Sequence, residues 1–231
     1  MIGILGGMGT QASLDFCNKL AKLNRGKHDQ DYPMFVLYNK SNTPRRPENL
    51  KKYYNVLKAL INGCKMLQKN KCKFIVMPCN TAHYWHEDIQ KKIKIPLLSM
   101  PKEVFLHTKK ICKKNSKIGI LCTEATLKTK VYNNYFDKNF NLFSPNKVLQ
   151  KKSVNKAIKL VKMGNVKEAE KVLKPAVNYL IKKKCKKIIL GCTELPIAIF
   201  AYKSFKKAKE SKIFIDPNLL LAQVCLKKYK K

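Results

Sequence analysis

The feature that most constrains the fold is an internal repeat, in which two short segments occur twice and in the same order. Residues 2–5, IGIL, recur at 118–121. The segment 71–81 recurs without a gap at 184–194, each time as Lys-Cys-Lys followed by an apolar run and a cysteine. The two offsets are 116 and 113 residues. Such matching offsets predict a chain built from two similar halves.

Short apolar runs alternate with longer stretches of helical periodicity along the chain. The runs typical of buried strands are Ile2–Leu5, Met34–Tyr38, Phe74–Met77, Ile118–Leu121, Ile188–Leu190 and Ile213–Ile215. Helical spacing is clearest in Leu50–Leu67 and Val154–Leu180. This alternation is typical of parallel sheets that are covered by helices on both faces.

We therefore predict an α/β fold of two similar parallel-sheet domains, related by pseudo-twofold symmetry, with the active site in the cleft between them. Domain one is expected to comprise residues 1–98, with 209–231 returning to it, and domain two residues 99–208. Ligands of open parallel sheets bind beyond the carboxyl ends of the strands. Cys79 and Cys192 each follow such an end, so the predicted symmetry brings both thiols to one bound molecule.

The formal net charge of +35 is a feature of many nucleic-acid-binding proteins. Only three of the 49 basic residues are arginine, however, and arginine makes most of the bidentate contacts in specific recognition. We expect weak binding to polyanions at low salt and no specific nucleic-acid partner. The apolar runs are too short to span a membrane, and the first residues lack the pattern of a signal peptide. A cytoplasmic location without membrane association is expected.

The nine cysteines are widely spread, with no CxxC pair, which argues against a disulfide framework or a zinc site. Seven are expected to pack as small apolar side chains: Cys17, Cys64, Cys72, Cys112, Cys122, Cys185 and Cys225. Cys79 and Cys192 differ because each precedes a predicted helix start, where free N–H groups favour a thiolate and bind a carboxylate. Two such thiols suit racemisation, in which one removes the α-proton and the other protonates the opposite face.

Two other motifs receive structural interpretations. The glycines at 3, 6, 7 and 9 lack the spacing of a dinucleotide-binding loop and are expected to form a wall of the site. His83 and His86 lie about one helical turn apart, but no carboxylate or cysteine set completes a metal site around them. We expect His83 to support the turn at Cys79 or to pack.

Four segments resemble the aspartate/glutamate racemase superfamily, most closely its aspartate racemase branch. They are Gly6–Thr10, Cys79–His83, Leu121–Thr126 and Gly191–Pro196. The resemblance implies a two-domain α/β enzyme that acts on a small amino acid without pyridoxal phosphate, metal or other cofactor. It also implies a homodimer, and Cys79 and Cys192 as the catalytic acid/base pair.

The resemblance further implies a set of substrate-binding residues. They are Met8, Arg46, Asn80, Thr81, Thr126, Lys162 and Thr193. Asn80, Thr81 and Thr193 fall where the family holds the α-carboxylate and amine. Arg46 matches the arginine that holds the distal carboxylate in the aspartate branch, and Lys162 matches a second basic residue that assists it. The remaining two residues are expected to line the site.

The chain also departs from the family pattern. Arg45-Arg46-Pro47 stands where the family often has Asp-Arg-Thr, and Cys122–Thr126 lacks the glycine of the usual Ala-Thr-x-Gly-Thr segment. Glu194 stands where cell-wall glutamate racemases usually carry histidine, which favours aspartate or broad specificity over glutamate alone. The alternative functions are a dicarboxylate isomerase or decarboxylase of the same superfamily, or a basic nucleic-acid-binding protein.

Overall fold

The computed structural model describes residues 1–46, 54–201, 205, 208 and 212–230. Some predicted features lie outside the described residues: Pro47, the start of the helix predicted at 50–67, and residues 209–211 and 231 of the returning segment. The chain divides into two compact units, Met1–Glu103 with Asn218–Lys231, and Val104–Pro217.

The strands of the described residues form two sheets, and the observed pairings are parallel. The strands are β1 Ile2–Gly6, β2 Phe35–Asn39, β3 Phe74–Val76, β4 Lys117–Leu121, β5 Asn141–Phe143, β6 Lys187–Leu190 and β7 Phe214–Ile215. Their orders are β2-β1-β3 in the first unit and β5-β4-β6-β7 in the second. The α/β fold with two parallel sheets is thereby confirmed, while the pseudo-twofold symmetry stays a prediction.

Helices connect the strands. They are α1 Thr10–Leu23, α2 Tyr54–Lys69, α3 His86–Gln90, α4 Met100–Ile111, α5 Glu124–Lys128, α6 Asn133–Phe136, α7 Lys147–Leu149, α8 Lys156–Lys162, α9 Val166–Lys182, α10 Leu195–Ala201 and α11 Pro217–Tyr229. A 3₁₀ helix spans Thr81–Trp85, and a π-helical turn spans Gln150–Asn155. None of the helices in the described part of the chain is long and apolar enough to cross a membrane.

In the first unit, successive side chains of β1 point to opposite faces of the sheet, and different helices cover the two faces. Ile2 and Ile4 of β1 pack in one cluster with Phe16 of α1 and with α11. Leu5 packs on the other face, with Leu60 of α2. Because β1 is covered on both faces, it is apolar throughout and buried along its whole length.

The second unit packs α8, α9 and α10 against its sheet. Leu173 and Val177 of α9 share a cluster with Leu121 of β4 and Ile188 of β6. A separate aromatic group forms around Phe105 of α4, whose ring lies 5.5 Å from that of Phe136. The first of these clusters includes Leu121 and Leu190, the last residues of β4 and β6.

The sequence repeat has a local structural counterpart in the two units. A Cβ added to Gly3 in β1 would lie 3.2 Å from the Cys72 Sγ atom, and one added to Gly119 in β4 would lie 3.4 Å from the Cys185 Sγ atom. In both units a glycine in the first strand of the repeat therefore makes room for the cysteine that precedes a neighbouring strand. This packing gives the two recurring cysteines the same structural role, that of a small side chain beside a strand glycine.

Two helix and strand predictions differ from the structure. The apolar spacing of Val154–Leu180 predicts one helix, but α8 ends at Lys162 and α9 begins at Val166. Gly164 between them has a φ of 83°, a left-handed conformation that ends a helix. Strand β5 was also missed, because three residues at the sheet edge carry no apolar run.

Candidate active site

Cys79 lies in a tight turn just beyond the carboxyl end of β3. Its backbone N–H donates to the Met77 carbonyl over 2.7 Å, and the residue is 7% exposed. Asn80 and Thr81 follow and are also buried. Asn80 precedes the 3₁₀ helix without a capping hydrogen bond from its side chain. The turn thus places a buried thiol and two buried polar side chains just beyond the end of β3.

His83 supports the turn at Cys79, as expected from the sequence. Its Nδ1 atom lies 2.9 Å from the Cys79 carbonyl oxygen, and its Nε2 atom accepts a hydrogen bond from the Met100 N–H over 3.1 Å. Because Nε2 accepts, the proton of the neutral ring sits on Nδ1, which donates to Cys79. Burial lowers the pKa of His83 to about 4. A neutral imidazole therefore holds the Cys79 backbone at neutral pH.

His86 makes a similar backbone contact, with its Nε2 atom 2.8 Å from the Leu97 carbonyl oxygen. The His83 and His86 rings are stacked, with centroids 6.0 Å apart. Both rings thus connect the Cys79 segment to residues 97–100, a structural role.

Met8 and Arg46 are joined at the carboxyl ends of β1 and β2. The Arg46 Nη2 atom donates to the Met8 carbonyl over 2.7 Å, and its Nη1 atom donates to the Pro44 carbonyl over 3.0 Å. A guanidinium has five N–H donors, so two backbone bonds leave capacity for a bound anion. Since parallel strands end at one edge of a sheet, Met8, Arg46 and the Cys79 turn share that edge of the first unit.

The loop that carries Met8 needs glycine at its start. Gly7 has a φ of 84°, and a Cβ atom there would lie 2.2 Å from the Lys40 carbonyl carbon. The Ser13 hydroxyl accepts from the Gly7 N–H over 3.2 Å and donates to the Gly9 carbonyl over 3.0 Å. The glycine motif thus lets the loops after β1 and β2 pack backbone to backbone.

Cys192 occupies the corresponding place in the second unit, beyond the carboxyl end of β6. It is 7% exposed and its Sγ atom donates to the Glu194 Oε2 atom over 3.0 Å. The other carboxylate oxygen, Oε1, lies 3.5 Å from the Lys162 Nζ atom. Thr193 is buried, and its hydroxyl lies 3.5 Å from the Glu194 Oε2 atom. Three of the predicted residues therefore meet around Glu194, which is not among those predicted: Cys192, Thr193 and Lys162.

The surroundings of Cys192 favour its thiol form in the free protein. Burial raises its pKa well above the usual value, and the Glu194 carboxylate raises it further through its charge and hydrogen bond. The charge of Lys162 acts in the opposite direction. The expectation that a helix start lowers the pKa of this thiol is wrong, because burial and a neighbouring anion outweigh it.

Thr126 lies in α5, which follows the carboxyl end of β4, in the segment that lacks the family glycine. Thr123 caps α5 by accepting from the Thr126 N–H over 3.2 Å, and the two hydroxyl oxygens are 3.0 Å apart. The Gln150 Nε2 atom donates to the Cys122 carbonyl over 2.8 Å. A threonine cap and a glutamine clamp thus form this turn without glycine.

Glu194 was not predicted as a site residue. A glutamate just before a helix is ordinarily a solvated first-turn charge, and here it is 3% exposed. Its position two residues after Cys192 is a signal in the sequence for a contact between the two side chains. The pairing with Lys162, 32 residues earlier in the chain, has no signature in the sequence.

Comparisons with known proteins agree on one family and fold. A family model described as Asp/Glu/Hydantoin racemase matches residues 5–225. The broad specificity amino-acid racemase RacX of Bacillus subtilis is 30% identical over 203 residues, which cover 84% of this chain and 86% of that protein. The solved aspartate racemase of Picrophilus torridus has a TM-score of 0.82 and 31% identity, covering 100% of this chain and 94% of its own.

More distant structures share the fold. A glutamate racemase from Thermus thermophilus has a TM-score of 0.67 at 20% identity, covering 99% of this chain and 80% of its own. An aspartate racemase homologue from Pyrococcus horikoshii has a TM-score of 0.78 at 23% identity, covering 100% and 99%.

Proposed function

This chain belongs to the Asp/Glu/hydantoin racemase family, and we propose that it racemises aspartate, with Cys79 and Cys192 as the two acid/base groups. As an amino-acid racemase it is an isomerase that inverts the configuration at an α-carbon. The observation that carries the proposal is the placement of one buried cysteine beyond the carboxyl end of a strand in each unit. Each is flanked by buried polar residues.

In the proposed mechanism the thiolate of one cysteine takes the α-proton and becomes a thiol. The thiol of the other cysteine gives its proton to the opposite face of the carbanion and becomes a thiolate. The substrate leaves inverted, and the two cysteines have exchanged protonation states. Each direction uses the same two groups in opposite roles, as a reversible inversion requires.

We propose that the two units act as two domains with one cysteine supplied by each. Their bounds, 1–103 with 218–231 and 104–217, are close to those expected from the sequence, 1–98 with 209–231 and 99–208. Asn80, Thr81 and Thr193 would then hold the α-carboxylate and amine. Their position supports this role, because each is a buried polar residue within two positions of one of the two cysteines. Met8 and Thr126 would complete the walls.

The preference for aspartate is proposed from Arg46. Its guanidinium is anchored by the Met8 and Pro44 carbonyls, which holds it in place for bidentate binding of a distal carboxylate. The aspartate racemase among the similar structures supports this substrate, while the broad specificity relative supports a wider range. Aspartate, glutamate and alanine therefore belong in one assay.

The test is racemisation without an added cofactor. Protein treated with a chelator and with hydroxylamine, to remove metal and pyridoxal phosphate, is incubated in heavy water with single enantiomers of the three amino acids. We expect each active substrate to approach a racemate and to gain deuterium at the α-carbon. Loss of activity after either treatment, or no turnover of any of the three, would contradict the proposal.

Arg46→Ala tests the substrate preference, with Arg45→Ala as the matched control because Arg45 is an exposed neighbour. We expect Arg46→Ala to lower kcat/KM for aspartate at least about tenfold more than for alanine, since a charged hydrogen bond contributes about 1.5–3 kcal/mol. Equal losses for both substrates would argue against a distal carboxylate site at Arg46.

A further inference from the structure

Glu194 connects the Cys192 thiol to a lysine through its two carboxylate oxygens. Oε2 accepts from the Cys192 Sγ atom over 3.0 Å, and Oε1 lies 3.5 Å from the Lys162 Nζ atom. The carboxylate is 3% exposed, whereas the lysine side chain is 48% exposed. The carboxylate is thus held between a buried acid and a solvated cation.

We propose that Glu194 is a positioning residue that keeps the proton on Cys192 in the free enzyme, and that Lys162 weakens this hold. The inference rests on the proposed function for its catalytic meaning. An ionised carboxylate accepts the S–H hydrogen bond, and its charge opposes a second anion at the sulfur. The positive charge of Lys162 lies beside the other carboxylate oxygen, Oε1. It offsets the negative charge of Glu194 and favours the thiolate of Cys192.

The other groups around Cys192 do not replace this pair. Tyr132, which precedes α6, lies close enough for Cys192 to influence its titration, together with Cys122 and Asp216. Burial raises the pKa of Tyr132 well above its usual value, so the phenol is neutral throughout the working range. Among the residues that the structure describes, Glu194 and Lys162 are then the charged groups that act on the Cys192 sulfur.

The proposal gives the free enzyme a preferred form. With the proton on Cys192, the resting enzyme offers Cys192 as the acid and leaves the base role to Cys79. Turnover of one enantiomer leaves a thiol at Cys79 and a thiolate beside Glu194. The enzyme regains its resting form when Cys79 releases its proton to solvent and Cys192 takes one up. The enantiomer attacked by Cys79 is thus the one that the resting enzyme accepts directly.

Glu194 belongs to the second copy of the repeat, and the first copy has no carboxylate at the corresponding position. Positions 79 and 192 correspond, and the residue two places later is Thr81 in the first copy and Glu194 in the second. A neutral hydroxyl and a carboxylate have opposite consequences for a neighbouring thiolate. The two halves are therefore unequal at the point where the proposed chemistry is symmetrical.

Thiolate titration without substrate tests the proposal. The ultraviolet thiolate absorbance of each protein, minus that of its version carrying Cys192→Ser, isolates the Cys192 thiolate from the other cysteines. We expect Glu194→Gln to move the Cys192 midpoint to lower pH, by about one pH unit or more. Lys162→Met should move it to higher pH. Lys159→Met, on the same helix, is the matched charge control and should leave the midpoint near its original place.

The outcomes are separable from those of the racemase assay because no substrate is present. An unchanged or higher midpoint in Glu194→Gln would overturn the role of Glu194. Equal effects of Lys162→Met and Lys159→Met would overturn the role of Lys162. Should Glu194→Gln fail to fold, the exposed Lys162 still permits the second measurement, in which an unchanged midpoint rejects the pairing.

Discussion

The two cysteines of the repeat are held by chemically different neighbours. The Cys79 backbone is fixed by the neutral ring of His83, which contacts its carbonyl oxygen and not its sulfur. The Cys192 sulfur is itself the hydrogen-bond donor to Glu194. The contact to the Cys79 backbone positions the residue and does not involve its sulfur. The contact from the Cys192 sulfur positions the thiol and also places a carboxylate beside it. Substitutions at the two cysteines should therefore have distinguishable effects.

Serine substitutions separate the roles of the two thiols. Cys79→Ser or Cys192→Ser should reduce racemisation at least about 10³-fold, because a hydroxyl is far harder to ionise than a thiol. The thiol that remains can still remove the α-proton from the one enantiomer that faces it. α-Proton exchange in heavy water, followed by NMR for each enantiomer, should show opposite preferences in the two variants. Near wild-type racemisation in either variant would rule out the paired-thiol mechanism.

His83 should make the protein sensitive to acid. Burial lowers its pKa from 6.5 to about 4 in the folded state, while the unfolded chain keeps the usual value. Between those values the unfolded state binds more protons, so the free energy of unfolding falls as the pH decreases through this window and is constant above it. At about 1.4 kcal/mol per pKa unit, the loss reaches about 3 kcal/mol near pH 4.

Urea unfolding across this pH range measures the effect. His83→Gln is the comparison, since glutamine retains hydrogen-bonding groups but does not titrate. Its stability should be lower at neutral pH and should depend less on pH in the window. Identical pH profiles for the two proteins would show that His83 is not held neutral by the fold.

Among the secondary-structure elements, the sequence predicts best the strands that are buried on both faces of a sheet. β1 and β3 are covered by helices on both sides, so they appear as continuous apolar runs and were found. β5 lies at a sheet edge with partly exposed residues, and its three residues carry no such pattern. The α8–α9 break was missed because the apolar spacing continues through it, and only Gly164 marks the turn.

The candidate site was predictable where a motif is local and not where it depends on a tertiary contact. The cysteine turns and the glycine loop are continuous in sequence, so their positions beyond strand ends followed from the strand assignments. The Lys162–Glu194 pair joins α8 to the turn after β6, and no periodicity connects them. The same holds for the bond from Arg46 to Met8, which joins two loops.

Two glycines with nearly equal positive φ values test how the glycine loop is built. Gly7 and Gly164 have φ values of 84° and 83°. Alanine at Gly164 meets no atom within 4 Å, so it should cost only the strain of a left-handed residue, about 1 kcal/mol. Alanine at Gly7 meets the Lys40 backbone at 2.2 Å and should cost about 1–3 kcal/mol more.

Chemical denaturation of the two variants gives these differences. Gly164→Ala should retain activity, because it lies in a turn between helices. Gly7→Ala should also lose substrate affinity, since the displaced loop carries the Met8 carbonyl that anchors Arg46. Equal losses of stability would mean that the Gly7 loop relaxes freely away from Lys40.

The whole molecule combines a racemase fold with a formal net charge of +35, from 49 basic and 14 acidic residues. The basic residues are spread over both units. Exposed lysines occur even within single helices, such as Lys167, Lys171 and Lys174 in α9. Dispersed lysines create a positive electrostatic potential around the protein and do not form a localised nucleic-acid-binding site. The homodimer and the cytoplasmic location expected from the sequence stay predictions.

This charge distribution predicts binding to polyanions that depends on the salt concentration and not on the nucleotide sequence. Binding through about 6–10 phosphate contacts should weaken by about 10³–10⁵ between about 50 and 200 mM salt, because released counterions supply most of its free energy. Fluorescence anisotropy with two duplexes of unrelated sequence should give equal affinities, and heparin, which carries no bases, should compete. Racemase activity measured in the same buffers should persist at the higher salt, where the duplexes dissociate. Binding that survives this salt, or that distinguishes the two duplexes by more than about tenfold, would favour a nucleic-acid function for the chain.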